Sequence, residues 1–190
     1  MEEYFQPEAL REALIIAGLK EIEVHGLSDF SLRRVASECG VSCAAPYRHF
    51  KGKSELILAI IAYVNDKWSL LQRQITDAFK GDTRRCLIEM CVANIRFWTA
   101  NPHFHSILIM DSRELDGEQL LEKSRINETT DSLISEFCRE KGLSEADARI
   151  KSIAIRAIMY GSTQMLSGGE LENSPESIRV IRELLEKELG

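Results

Sequence analysis

Tyr47, Arg48 and His49, with Lys51 and Lys53 just beyond, place a phenol, a guanidinium, an imidazole and two ammonium groups on one short stretch of chain. Such a rim suits phosphate oxygens. Immediately before it stand Cys43, Ala44, Ala45 and Pro46, whose small or apolar side chains let a backbone approach a groove wall. Alanine and proline offer contact to thymine methyls, and Arg48 can pair with a guanine. Between Ser28 and Leu56, five cations (Arg33, Arg34, Arg48, Lys51, Lys53) face three anions (Asp29, Glu38, Glu55), a balance of +2. The whole chain carries −6, so everything outside that window sums to −8. This excludes a protein that coats nucleic acid and leaves one small reading surface, with weak and salt-sensitive non-specific binding.

Other reactive residues assemble into nothing comparable. His103 and His105 are two apart and point to different faces of a helix, which makes them a poor metal pair. Cys39 and Cys43 flank a turn and read as a core thiol beside an exposed one. Five cysteines without framework spacing imply reduced thiols. No glycine-rich phosphate loop, zinc spacing or nucleophile motif occurs, so neither enzyme chemistry nor a metal or cofactor is expected. A chamber for a small molecule is suggested by Trp68, Phe97, Trp98, Phe104, Met110 and Met159, with Asn94, His105, Arg156 and Tyr160 as polar anchors. Arg156, amid isoleucines and alanines, calls for an acidic ligand or a carboxylate across a dimer.

The elements that must position these residues are helices. Ile15, Gly18, Leu19 and Ile22 form one helical stripe that Gly26 can end. Ser31 caps a second helix carrying Leu32, Val35 and Ala36; Gly40 breaks it, and Ser42 caps a third. Long helical segments follow from Lys53 and Thr83, then from Pro102, Glu118, Ser144 and Pro175, with stops at Gly81, Gly117, Gly142 and Gly168-Gly169. The run at 107–110 could be a strand but has no partner strand. The reading is an all-α protein of about nine helices, without repeats. Two short helices joined at Gly40 form a helix-turn-helix. The longest apolar run, Leu56 to Val64, is too short for a bilayer, which needs about 20 residues. The acidic start, Met1 to Leu10, lacks the features of a secretory leader.

Residues 10–56 resemble the DNA-binding domain of TetR-type transcriptional regulators. The resemblance runs through Ile15, Ala17, Leu19, Ile22 and Gly26, then Ser31, Val35 and Ala36, and on through "CGVS", "YRHF" and "KGKSEL". It implies a helix-turn-helix DNA-binding domain at 1–52 and a helical effector-binding and dimerisation domain at 53–190. Ser31, with its hydroxyl and backbone N–H, would meet a phosphate; Tyr47, His49 and Lys53 would hold others, with Arg33 and Ser42 beside them. Cys43, Ala44, Ala45 and Arg48 are left for base edges. Cys43 stands where the family often has a longer polar residue, which shifts weight toward shape reading.

The last two helices are apolar on more than one face. Ile150, Ala154, Ala157, Ile158 and Gly161, with Ile178, Ile181 and Leu185, form an expected four-helix interface between two subunits. The expected function is a cytoplasmic, dimeric repressor of a palindromic double-stranded DNA operator, released by a small-molecule effector, with no membrane partner. An activator or ligand-independent regulator with the same head is the alternative, and an all-α enzyme a remoter one.

Overall fold

The computed structural model describes residues 7–190, and the acidic start at 1–6 lies outside them. Eight α-helices are formed: α1 Pro7–His25, α2 Leu32–Glu38, α3 Lys53–Ala78, α4 Thr83–Ala100, α5 Pro102–Ile109, α6 Gly117–Glu140, α7 Glu145–Ser167 and α8 Pro175–Glu188. Two three-residue 3-10 helices, Pro46–Arg48 and Ser112–Glu114, complete the regular structure, and no strand occurs among the described residues. Positions 107–109, the strand candidate, are helical, and Gly117 opens α6 rather than ending a helix. No helix of the described residues is long and apolar enough to cross a membrane.

The chain divides into two compact units, residues 7–67 with 103–124 and residues 68–102 with 125–190. Helix α3 contributes to both. The functional boundary read at 52/53 therefore coincides with no edge of a unit. The cause is packing: Leu56, Ile57, Ile60 and Ile61 at the start of α3 are all buried. Ile60 lies against Gly18 of α1, where an added Cβ would come within 2.6 Å of its Cδ1. An alanine at this position would force the Ile60 Cδ1 methyl to move aside. Leu14, Ile15, Leu19 and Ile22 of α1 are buried in the same unit, as are Phe30, Val35 and Phe50.

The second unit has a core drawn from α4, α6, α7 and α8, including Leu87, Cys91, Ile95, Phe137, Ile155, Met159, Ile181 and Leu185. The stripes of α7 separate cleanly. Ile155, Met159, Ser162 and Leu166 face inward, while Ile150, Ile153, Ala157, Gly161 and Met165 are exposed, with Ala154 and Ile158 half-buried. Helix α8 corrects the expected interface. Ile178, Ile181 and Leu185 are buried in the subunit's own core, and the apolar residues turned outward are Val180 and Leu184. Each inward residue withdraws its side chain from water once, for about 1.5–3 kcal/mol, and has no surface left to offer a partner.

Candidate nucleic-acid interface

Ser31 adopts an extended conformation as N-cap of α2, and its Oγ accepts the N–H of Arg34 at 3.4 Å. Its own N–H is engaged: it donates to Glu21 Oε1 at 3.0 Å. That corrects the expectation of a free backbone donor at this cap. Glu21 is a buried carboxylate held also by Arg34 Nε at 2.7 Å, so one acid joins the end of α1 to the start of α2. The guanidinium of Arg34, bonded to Glu21 and Asp29, is held above its ordinary pKa, chiefly by the Glu21 hydrogen bond. Of the two adjacent arginines, Arg33 is the exposed one.

The turn closes as expected at Gly40, whose φ is +66°. The N–H of Gly40 donates to Ser37 O at 3.0 Å and that of Val41 to Ala36 O at 3.0 Å, the double bond of a Schellman cap. Beyond it the expected α-helix is replaced by a shorter element. Ala45 N–H donates to Ser42 O at 2.9 Å, but Pro46 has no N–H to continue an α ladder. The chain instead makes the 3-10 helix Pro46–Arg48 and ends on Phe50, whose N–H reaches Pro46 O at 2.9 Å.

Exposed along this edge are Ser42, Cys43, Ala44, Tyr47 and Arg48, with His49 half-buried. Ala45 is buried at 8% exposure and is not available to a base edge; it packs inward with Pro46 and Phe50. Lys53 is engaged within the chain. Its Nζ donates to Leu27 O at 2.6 Å and stands 5.8 Å from the Phe30 ring, so its ammonium is used to close the loop after α1. The second helix of the motif thus presents polar tips on one side and apolar anchors on the other, the division a groove-reading element requires.

The residues of the expected small-molecule chamber fall in both units. Phe104, His105 and Met110 belong to the first. Phe104 meets Tyr63 edge-on at 6.2 Å, and half-burial pushes the His105 imidazole below its ordinary pKa. In the second unit Trp68, Phe97 and Trp98 come together, with centroid distances of 5.2 Å and 5.0 Å along the chain of rings. Asn94 is buried, and Met159 belongs to the core between α4, α7 and α8. Tyr160 is exposed, its hydroxyl 3.2 Å from Asn127 Nδ2. Arg156 already has its carboxylate: NH2 donates to Asp131 Oδ1 at 2.6 Å within the same chain. Neither an acidic ligand nor a partner subunit is needed to satisfy it. Glu21 and Asp131 escaped the sequence reading because their partners lie 13 and 25 positions away, beyond any helical period.

Residues 14–60 match the family described as bacterial regulatory proteins, tetR family. A nucleoid occlusion factor SlmA from Shewanella loihica is 28% identical over 150 residues, covering 75% of each chain. The one from Shewanella baltica is 30% identical over 140 residues, 71% of this chain and 68% of the relative. In fold, a TetR-family transcriptional regulator from Bordetella parapertussis superposes with a TM-score of 0.74 at 14% identity, covering 94% of both chains. Capped turn, reading edge and helical body agree with these likenesses, and the chain belongs to the TetR family of helix-turn-helix, DNA-binding bacterial regulatory proteins.

Proposed function

We propose that the protein is a cytoplasmic transcriptional repressor that binds a palindromic operator as a homodimer and releases it when a small molecule binds the helical body. The observation that supports this reading best is the exposed edge Ser42, Cys43, Ala44, Tyr47 and Arg48, held by a capped turn on one side and Phe50 on the other. Dimerisation is carried by the uncovered apolar face of α7, from Ile150 to Met165, with Val180 and Leu184 of α8. Two heads reading one palindrome must hold their reading segments about 34–36 Å apart, one DNA turn, or a multiple of that. Helix α3 starts beside the head and continues into the second unit as one 26-residue element, so a ligand there can bias the heads. The test is selection of bound sequences from a random pool, followed by footprinting and an operator–reporter assay. Two symmetric half-sites with repression of the reporter are expected. Activation would reverse the sign of the regulation, and protection of a single half-site would remove the dimer.

A second reading is favoured by the named relatives, whose similarity reaches well past the head. A nucleoid occlusion factor would occupy sites dispersed over a chromosome, whereas a repressor occupies one or a few. Genome-wide occupancy in the source cell separates the two.

A further inference from the structure

Two helical stripes of the second unit line a cleft that neither fills. Leu71 and Ile75 of α3, with Phe79 just past its end, recur every four residues. Across from them, Glu89, Val92, Ala93, Arg96 and Phe97 stand at i, i+3, i+4, i+7 and i+8, one face of α4. The cleft between them measures about 390 Å³ and lies wholly within this unit. That volume falls in the range of small-molecule sites. Ile75 and Val92 are buried, whereas Leu71, Phe79, Ala93 and Phe97 are only half-buried. Apolar surface left half-wet around a concavity gains from any apolar body that displaces its water.

The charges around this cleft do not balance. Glu89 is the one carboxylate of its lining, and Arg182 of α8 already takes it, through NH1 at 2.5 Å and NH2 at 2.9 Å. Arg96 lines the cleft and is exposed. Arg85 stands with its guanidinium carbon 4.9 Å from the centroid of the Phe79 ring, itself part of the lining. Neither Arg85 nor Arg96 forms an ion pair among the described residues. Both act on Glu89 through charge alone: its carboxyl is held below the ordinary pKa first by the Arg182 hydrogen bond and further by Arg85 and Arg96. Three arginines against one carboxylate leave +2 here, on a chain whose total is −6. A local excess of cations beside apolar surface complements an anion joined to an apolar body and repels a cation.

We propose that this cleft binds an amphiphilic anion, a carboxylate on an apolar body, with the body against Leu71, Phe79 and Phe97 and the charge met by Arg96 and Arg85. The inference rests on the effector reading above and names the chemical class of that effector.

The chain carries its own reporter. Its two tryptophans, Trp68 and Trp98, flank Phe97 at ring-centroid distances of 5.2 Å and 5.0 Å, so a body seated against Phe97 should change their fluorescence. The test is titration of the full chain by fluorescence and calorimetry with decanoate below its micelle concentration, decan-1-ol and decylammonium, repeated on Arg96→Gln and Ala93→Leu. Decanoate should bind more tightly than the other two. Arg96→Gln should weaken decanoate about two- to fivefold, the size of an exposed ion pair, and leave decanol unchanged. Ala93→Leu, which fills the apolar wall, should weaken decanoate and decanol together; if it does not fold, Ala93→Val takes its place. Decanol or decylammonium binding as tightly as decanoate, decanoate affinity indifferent to either substitution, or no binding of any probe would overturn the proposal. Operator release by the same probes tests the parent reading separately. Binding that needs Arg96 yet leaves operator affinity unchanged upholds this site and removes its effector role. Release by a probe that ignores both substitutions does the reverse.

Discussion

Arg34 and Ser31 share one acceptor: the Arg34 Nε and the Ser31 backbone N–H converge on Glu21 Oε1 at 2.7 Å and 3.0 Å. The two ends of the pair are unequal, because Glu21 is buried and Arg34 is partly exposed. Glu21→Gln keeps an acceptor and should cost about 1–2 kcal/mol of stability. Arg34→Met leaves a buried carboxylate without its cation and should lower the urea midpoint further. Equal midpoints for the two variants would show that the pair is merely superficial.

On DNA, Tyr47 and Arg48 should separate. Tyr47→Ala is expected to weaken cognate and random sequences alike, since a phosphate carries no sequence information. Arg48→Ala is expected to cost about 1–3 kcal/mol on the operator and to relax preference at one base pair per half-site. Anisotropy titrations on both DNAs decide it; equal losses for Arg48→Ala would reduce it to another phosphate contact.

The two faces of the α7/α8 pair make opposite predictions. Ala157→Asp lies on the exposed face and should yield folded monomers by sedimentation, because an association would bury an unpaired charge. Leu185→Ala lies at 0% exposure and should cost about 2–5 kcal/mol of stability without changing the association state. A monomeric wild type at micromolar concentration would contradict the first expectation.

Acid should loosen the second unit through Glu89. Its carboxylate accepts Arg182 NH1 at 2.5 Å and NH2 at 2.9 Å, and that hydrogen bonding holds its pKa below the ordinary value. A depressed folded pKa means the contribution is complete above the unfolded value, about 4.3, and is lost as pH falls through the folded one. Glu89→Gln should therefore destabilise at pH 7 and lose less than the wild type on going to pH 3. Parallel acid profiles in thermal melts would remove this pair from the acid response.

The head was legible in the sequence because its signals are local. Ser31 and Gly40 act on neighbours within a turn, and the stripe of α1 repeats at helical spacing; Ser42, expected as a cap, caps no helix, because the 3-10 helix opens at Ala45 without a side-chain cap. What could not be read there depends on distance along the chain. Nothing near Lys53 announces that its ammonium will close on the carbonyl of Leu27, and nothing near Arg156 announces Asp131. The double-faced pattern of α8 was visible, but which face turns inward depends on α4 and α7, and the stronger stripe went to the subunit's own core. Pro46 opens its helix at the first position, and that helix is a 3-10 turn of three residues.

That short turn has a consequence for how operators evolve. The reading edge hangs between two fixed points, the Gly40 cap and buried Phe50, with only a three-residue 3-10 helix between them. A long rod presents every base contact in a fixed phase, so one misplaced base pair disturbs its neighbours. A brief arc on two anchors lets each tip settle against the groove separately. On the proposed reading, drift at one operator position would then be absorbed locally, and sites at different promoters would diverge without losing the regulator. A selected pool should accordingly return a broad consensus with independent positions, readable as additive single-base penalties.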